Sequence, residues 1–240
     1  MKYKLTDQDG YTRKGESNET LWGDNVTHTA TGRDRVLCTD GVIHYYDSPE
    51  IAVFMNPAHA EIKNPICWEG RGRQVAWDTL KGGCKTFTTL RRCPLPEITT
   101  EQRTEIAIRV ALTVYEEPTF VMWAKNWLSG EDRTPENAAM ATENAANTAW
   151  TATNVRHAAR AAEGAAMAAE SATMATENVV KAAWAAERAA WAAANVVRAA
   201  ESAASATWAA KNDAAWAAAR ISTRQLTNII RLVLGREEKL

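Results

Sequence analysis

The sequence predicts an α+β N-terminal domain over residues 1–130, followed by a long alanine-rich all-α, coiled-coil-like region over residues 131–220. Residues 1–130 hold all four cysteines, six of the seven prolines and ten of the twelve glycines. Residues 135–220 hold 38 alanines and one glycine. Proline and glycine interrupt regular structure, whereas alanine has the highest helix propensity, so the change in composition near Gly130 predicts a domain boundary.

Turn and capping residues locate the first elements of the N-terminal domain. Asp9-Gly10 is a hairpin-turn signal within the stretch YKLTDQDGYTRKG. Residues 42–46 suit a strand, and Ser48-Pro49 has the form of an N-cap followed by the first helical residue. We expect that short helix to end at Asn56-Pro57.

The rest of the domain alternates between strand and helix signals. Residues 65–77 and 84–96 are β-rich and bounded by glycine and proline. Thr99 or Thr100 is a suitable N-cap for a helix whose apolar stripe contains Ile106 and Val110. A further helix over 119–128 should stop at Ser129-Gly130.

One strand end in this domain is a candidate ligand site. His44 and Tyr46 are predicted at the end of a strand and beside the start of a helix, where an anionic ligand could bind. Arg13 and Glu69 are further polar candidates. The alternative is purely structural, because an aromatic strand usually packs a core and a single histidine near a turn is usually just hydrogen-bonded.

Composition argues against several classes of protein. The 28 basic and 29 acidic residues are balanced, so no nucleic-acid partner is expected. The cysteines are widely spaced with no histidine cluster nearby, so neither a metal site nor a cofactor is expected. No uninterrupted apolar run is long enough for a membrane span, and MKYKLTDQDG lacks the apolar core of a secretory signal. These features predict a cytoplasmic protein with reduced cysteines.

Small residues in the alanine-rich region recur in pairs with helical spacing. The pairs that begin at 161, 165, 168, 172, 175, 179 and 182 alternate steps of four and three, which is a heptad pattern. The phase slips near 155–161, 179–185 and 203–209. Two architectures fit: one rod about 130 Å long at 1.5 Å per residue, or a bundle of shorter helices broken at the slips. Because turn signals are almost absent, the sequence favours the long continuous helix.

Large apolar residues interrupt this pattern and predict an interface. Trp184 and Trp191 are too large for the close helix contact that alanine allows. Residues 221–240 contain an apolar helix face, which predicts a docking helix. We therefore expect a homo-oligomer formed through the alanine-rich helix. The residues predicted at this packing interface are Ala182, Ala189, Ala199, Trp184, Trp191, Leu226, Ile230 and Val233.

Several separated stretches resemble a known group of proteins. DQDGYTRKGESNETLWGDNVTHTATG, LCTDGVIHYYDSPEIAVFMNPAHAEIKNPICWEG, PLPEITTEQR and WLSGEDRT are similar to a family of uncharacterised phage and bacterial proteins in which such a domain precedes an alanine-rich or repetitive tail. The resemblance covers residues 3–134 and implies a viral or mobile-element origin and life in the host cytoplasm. It assigns no catalytic residue.

A more distant resemblance is to ADP-ribosyltransferase-like folds. It rests on the opening Tyr3-Lys4 and on the later strand that ends at His44-Tyr45-Tyr46. The arginine or histidine expected in the first strand and the late catalytic glutamate of such folds have no clear counterpart in this chain.

These observations support one main hypothesis and two alternatives. The first is a non-enzymatic phage accessory or structural protein, in which a helical stalk presents or multimerises the α+β head. The second is a head that binds a nucleotide or acts on a small anionic ligand, as an ADP-ribosyltransferase-like protein would. Ice binding by the alanine-rich helix is disfavoured, because its threonines lack a regular eleven-residue spacing. No nucleotide-binding or hydrolase motif is present, so a non-enzymatic role is preferred.

Overall fold

A computed structural model describes residues 1–78, 80–151, 156–173, 179–206 and 224–235. Within them the chain forms nine strands and seven helices. It divides into two compact units, an N-terminal unit (Met1–Glu97) and a helical unit (Ile98–Leu240). The compositional change near Gly130 therefore falls inside the helical unit.

The N-terminal unit contains three small antiparallel sheets. Its elements are β1 (Lys2–Thr6), β2 (Tyr11–Thr12), β3 (Thr20–Leu21), β4 (Thr27–Thr29), β5 (Ile43–Tyr45), α1 (Pro49–His59), β6 (Ile66–Arg71), β7 (Gln74–Trp77), β8 (Gly82–Cys84) and β9 (Thr86–Cys93). The largest sheet has the strand order β1-β6-β9-β4, the second pairs β2 with β3, and the third has the order β5-β8-β7. Sequence-distant strands such as β1 and β6 are thus direct neighbours.

The predicted hairpin at Asp9-Gly10 is only partly correct. The chain does turn there, with the amide of Gly10 donating to the carbonyl of Asp7 at 3.1 Å and Gly10 at φ +90°. However, β1 pairs with β6, and β2 pairs with β3. The turn residues fixed the local bend, but the partner of each strand was decided by distant parts of the chain.

The predicted start of α1 is confirmed and its predicted end is wrong. The Ser48 hydroxyl accepts a hydrogen bond from the amide of Ile51 at 3.1 Å, which satisfies one of the free N–H groups at the helix start. The helix continues through Pro57 to His59. The amide of Ala60 donates to the carbonyl of Asn56 at 3.0 Å, so the helical hydrogen-bond pattern continues past Pro57.

The helical unit is a bundle of helices that pack against one another. Its elements are α2 (Thr100–Ala111), α3 (Pro118–Ser129), α4 (Pro135–Thr151), α5 (Arg156–Thr173), α6 (Val179–Ala206) and α7 over residues 224–233. A capping box formed by Thr99 and Gln102 begins α2, and Gly130 ends α3 in the left-handed conformation.

The predicted coiled-coil-like all-α region is wrong. Helix α5 packs against α2, α4 and α6, so the alanine face is covered by neighbours from the same chain. Gly164 of α5 lies close to Ala192 of α6, and Ser171 of α5 accepts a hydrogen bond from Arg188 of α6 at 2.8 Å. Because the residue later in α5 contacts the residue earlier in α6, the two helices are antiparallel. Small side chains allow this close approach of helix axes, which a second helix of the same chain satisfies as well as a partner chain.

Side-chain burial within α5 follows the alanine pattern. The alanines at 158, 159, 161, 162, 165, 166, 168 and 169 are buried, whereas Glu163 and Glu170 are half-buried. The continuous helix predicted over 135–220 is wrong, because α4, α5 and α6 are separate helices that pack against one another. The phase slip near 179–185 does not break a helix, since α6 runs through it. The slip near 203–209 lies partly outside the described residues.

Candidate anion-binding cleft

A cleft of about 750 Å³ in the N-terminal unit is the candidate functional site. Its volume lies in the range usual for small-molecule sites. The loops after β2, β4 and α1 form its walls together with β1 and β5. The charged and histidine side chains that line it are Lys4, Arg13, Glu16, Glu19, His28, Asp40, His44, His59 and Lys81.

Lys4 is the buried cation of this cleft, and sequence reasoning did not identify it. Strand alternation directs Lys2 and Lys4 to one face of β1, where Lys4 lies over the Trp22 ring at 4.8 Å from its centroid. Only 8% of Lys4 is exposed. Its ammonium donates to the carbonyl of His44 at 3.1 Å, and no ion pair to Lys4 is found in the described part of the chain.

The environment of Lys4 favours the neutral form of its side chain. Burial lowers the pKa of Lys4 from 10.5 to about 8, the negative potential of a Cys84 thiolate would raise it, and the nearby Arg13 guanidinium lowers it further. An ammonium has three donors, and one hydrogen bond is found here. Within the described residues, the partners of this desolvated cation are one carbonyl and the face of the Trp22 ring, and neither carries a full negative charge.

His44 lies in the middle of the same positive region. Its Nε2 accepts a hydrogen bond from the amide of Cys38 at 2.9 Å, so in the neutral ring the proton sits on Nδ1. Burial is the main cause that lowers the pKa of His44 to about 4, and Lys81, Lys4 and Arg13 each lower it further. Three cations thus act on one neutral imidazole.

Arg13 and Lys81 are the other two cations that line the cleft. Arg13 is exposed and adopts a left-handed backbone conformation with φ +55°. The Lys81 ammonium donates to Cys38 Sγ at 3.3 Å and lies 4.0 Å from a carboxylate oxygen of Asp78. Three acidic residues, Glu16, Glu19 and Asp40, also line the cleft, and Glu19 accepts a hydrogen bond from the amide of Gly15 at 2.6 Å.

Tyr46 forms part of the wall of the cleft rather than a polar contact in its centre. The residue is buried, and its ring stacks on His59 with a centroid distance of 6.0 Å. The Tyr46 hydroxyl and His59 Nδ1 are 3.3 Å apart. Burial raises the pKa of Tyr46, so the phenol stays neutral at physiological pH.

The structure brings three of the four predicted ligand residues together and leaves the fourth apart. His44, Tyr46 and Arg13 all line the cleft, whereas Glu69 does not. Glu69 lies on β6, where it accepts a hydrogen bond from Arg91 Nε at 2.8 Å across to β9. The sequence signal for Lys4 would have been strand alternation, which sets it on the face of β1 opposite to Leu5.

Lys85 holds the loop that forms one wall of the cleft. Its ammonium donates to the carbonyl of Gly32 at 3.1 Å, to that of Gly41 at 2.6 Å and to that of Asp34. Between these carbonyls lie Thr39 and Asp40, which line the cleft. A single cation therefore fixes both ends of residues 32–41.

The residues predicted at a packing interface have different environments in the helical unit. Ala189, Leu226 and Ile230 are buried, and Ala199 and Val233 are half-buried. Trp184 and Trp191 remain 50% and 42% exposed. The side chain of Ala182 lies outside the described residues. The alanine face that suggested an oligomer is thus largely covered within the chain, and the homo-oligomer stays a prediction.

Comparison with known proteins adds no relative. No family model, no curated protein and no solved structure matches the chain. The resemblances to phage and bacterial proteins and to ADP-ribosyltransferase-like folds therefore stay predictions. Among the described residues no helix is long and apolar enough to cross a membrane.

Proposed function

We propose that the N-terminal unit binds a small anionic ligand in the cleft around Lys4 and His44. The observation that supports this most directly is the buried Lys4 ammonium, which donates to one carbonyl, lies over the Trp22 ring and has no carboxylate partner within the described residues. A buried charge is costly unless it is paired. An anion in the cleft would supply the missing partner.

The arrangement of charges supports the same ligand class. Lys4, Arg13 and Lys81 all line the cleft and all lower the pKa of His44, so the three cations lie near one another in the site. These cations can bind phosphate, pyrophosphate or a carboxylate by charge-assisted hydrogen bonds. The volume of about 750 Å³ admits a ligand up to the size of a nucleotide.

The proposed activity is binding, without chemical conversion. His44 is neutral and already accepts a hydrogen bond through Nε2, so it is suited to shaping the site. Binding or sequestration of a small anion fits a non-enzymatic accessory protein. We propose the cytoplasm as its location, host cytoplasm if the chain is phage-encoded, because all four cysteines are free thiols, which a reducing compartment maintains.

Calorimetric titration of the full chain with inorganic pyrophosphate tests this proposal. We expect one binding site whose affinity falls with salt, and a loss of at least about tenfold in affinity for Lys4→Met, because a hydrogen bond to a charged group contributes about 1.5–3 kcal/mol. Lys63→Met is the matched control, since Lys63 is exposed and outside the cleft. Absence of binding to the wild type, or equal affinities of Lys4→Met and wild type, would overturn the proposal.

A further inference from the structure

Two cysteines face each other across the middle of the largest sheet. Cys67 on β6 is the direct antiparallel partner of Cys93 on β9, and these are the two central strands of the order β1-β6-β9-β4. Each of the two thiols affects the pKa of the other. Opposite residues of an antiparallel pair have Cβ atoms about 4.5–5.5 Å apart, and a disulfide has them about 3.5–4.5 Å apart.

The four cysteine side chains differ in solvent exposure, and this difference predicts which thiol reacts first. Cys67 is 1% exposed, and Cys93 is half-buried at the end of β9. Cys84 is buried and its Sγ lies 3.6 Å from the carbonyl of Ile43, away from any cysteine partner in the described sheets. Cys38 is exposed on a loop.

We propose that Cys67 and Cys93 form a reversible oxidation site that closes a disulfide between β6 and β9, with a low-molecular-weight disulfide as the oxidant. Such a modification is independent of ligand binding in the cleft. It requires only a small approach of two side chains that already lie on the same face of neighbouring strands. The result is a covalent link between residues 26 positions apart in the chain (93 − 67).

The reaction proceeds by two thiol–disulfide exchanges. The Cys93 thiol loses its proton to solvent, its sulfur attacks one sulfur of R–S–S–R, and an R–S⁻ group leaves. The Cys67 thiol then loses its proton and attacks Cys93 Sγ, and the second R–S⁻ leaves as the Cys67–Cys93 bond forms. Two thiols are oxidised by two electrons in total, and one R–S–S–R is reduced to two R–SH.

The burial of each thiol explains why Cys93 reacts first. Burial raises the pKa of Cys67 strongly and also raises that of Cys93, for which the nearby Arg91 acts in the opposite direction. The exposed Cys38 should therefore exchange faster than either of them. The second step is intramolecular, and proximity compensates for the low fraction of Cys67 thiolate.

The disulfide would lie beside the row of residues that holds Lys4. In the register, Leu5 is opposite Cys67, and Lys4 is opposite Trp68, which is in turn opposite Arg92. A Cys67–Cys93 disulfide links β6 to β9 one residue away from Trp68, the residue opposite Lys4. We expect slower amide hydrogen exchange in β6 and β9 after oxidation.

The test uses the full chain with Cys38→Ser, which removes the exposed thiol. We expect that incubation with oxidised glutathione lowers the number of free thiols from three to one, and that peptide mapping finds Cys67 linked to Cys93. Adding Cys93→Ser should leave Cys67 and Cys84 as thiols, and adding Cys84→Ala should leave the linkage unchanged. Dithiothreitol should restore the thiols.

Three outcomes would overturn this inference. The first is that Cys67 and Cys93 both remain alkylatable after oxidation of a chain whose fold is confirmed by circular dichroism. The second is that Cys93 carries glutathione and never links to Cys67. The third is a linkage of either residue to another cysteine.

Discussion

Replacing Lys4 with methionine should stabilise the N-terminal unit while it weakens anion binding. Methionine matches the length and apolar stem of lysine, so the packing over Trp22 is kept and only the ammonium is removed. In the free protein this ammonium is buried with one hydrogen bond to the carbonyl of His44. Removing a poorly compensated buried charge favours the folded state.

The size of the expected stabilisation follows from the lowered pKa of Lys4. The fall from 10.5 to about 8 corresponds to roughly 3 kcal/mol at about 1.4 kcal/mol per pKa unit, which is the cost of keeping Lys4 charged in the folded state. Below pH 8 Lys4 is charged in both states and this cost is present in full. Between about pH 8 and 10.5 the folded state releases the proton first, so wild-type stability rises with pH and the cost disappears.

Hydrogen exchange of the peptides that cover β1 and β6 measures this effect in the full chain. At pH 7 Lys4→Met should raise the opening free energy of these strands by up to roughly 3 kcal/mol, and the gain over wild type should shrink at pH 9. The exposed control Lys63→Met should stay within about 0.5 kcal/mol of wild type. Equal or weaker protection of Lys4→Met at pH 7 would refute the assignment of Lys4 as an uncompensated buried cation.

Three further results are expected. Ala189→Leu should cost about 1–3 kcal/mol in urea unfolding because Ala189 is buried in the bundle, whereas Ala183→Leu at an exposed position of the same helix should change stability by about 0.5 kcal/mol or less. Lys85→Met should speed hydrogen exchange over residues 32–41 and weaken pyrophosphate binding, because three carbonyls lose a charged donor, each worth about 1.5–3 kcal/mol. Light scattering tests the homo-oligomer, for which the half-exposed Trp184 and Trp191 are the remaining support; a monomer at all concentrations would contradict it.

Local chemistry allowed several elements to be predicted from the sequence. The caps at Ser48, Thr99 and Gly130 act within three or four residues, so the starts of α1 and α2 and the end of α3 could be identified without knowledge of the rest of the fold. Helix was also the correct prediction for the described alanine-rich segments. These predictions depend on interactions between residues that are close in the sequence.

Long-range pairing limited the rest of the prediction. The hairpin at Asp9-Gly10 was expected to join two paired strands, but β1 finds its partner about sixty residues away in β6. Lys4 is buried by parts of the chain distant in sequence, because Trp22 and His44 contact its ammonium and Trp68 lies opposite it on β6. A lysine in an alternating strand looks like a solvent-facing residue until the elements that cover that face are known.

The alanine-rich region shows a different limit of sequence reasoning. Its spacing reports correctly that one helix face must contact another helix closely, but it does not say whether that helix belongs to the same chain. At Gly164 an added Cβ would lie 3.3 Å from the Cα and Cβ of Ala192, so α5 and α6 meet with no space for a larger side chain. The missing side chain of Gly164 permits this close helix crossing. The distinction between a rod and a bundle therefore rests on the few residues where a helix ends, and not on the long repetitive segments between them.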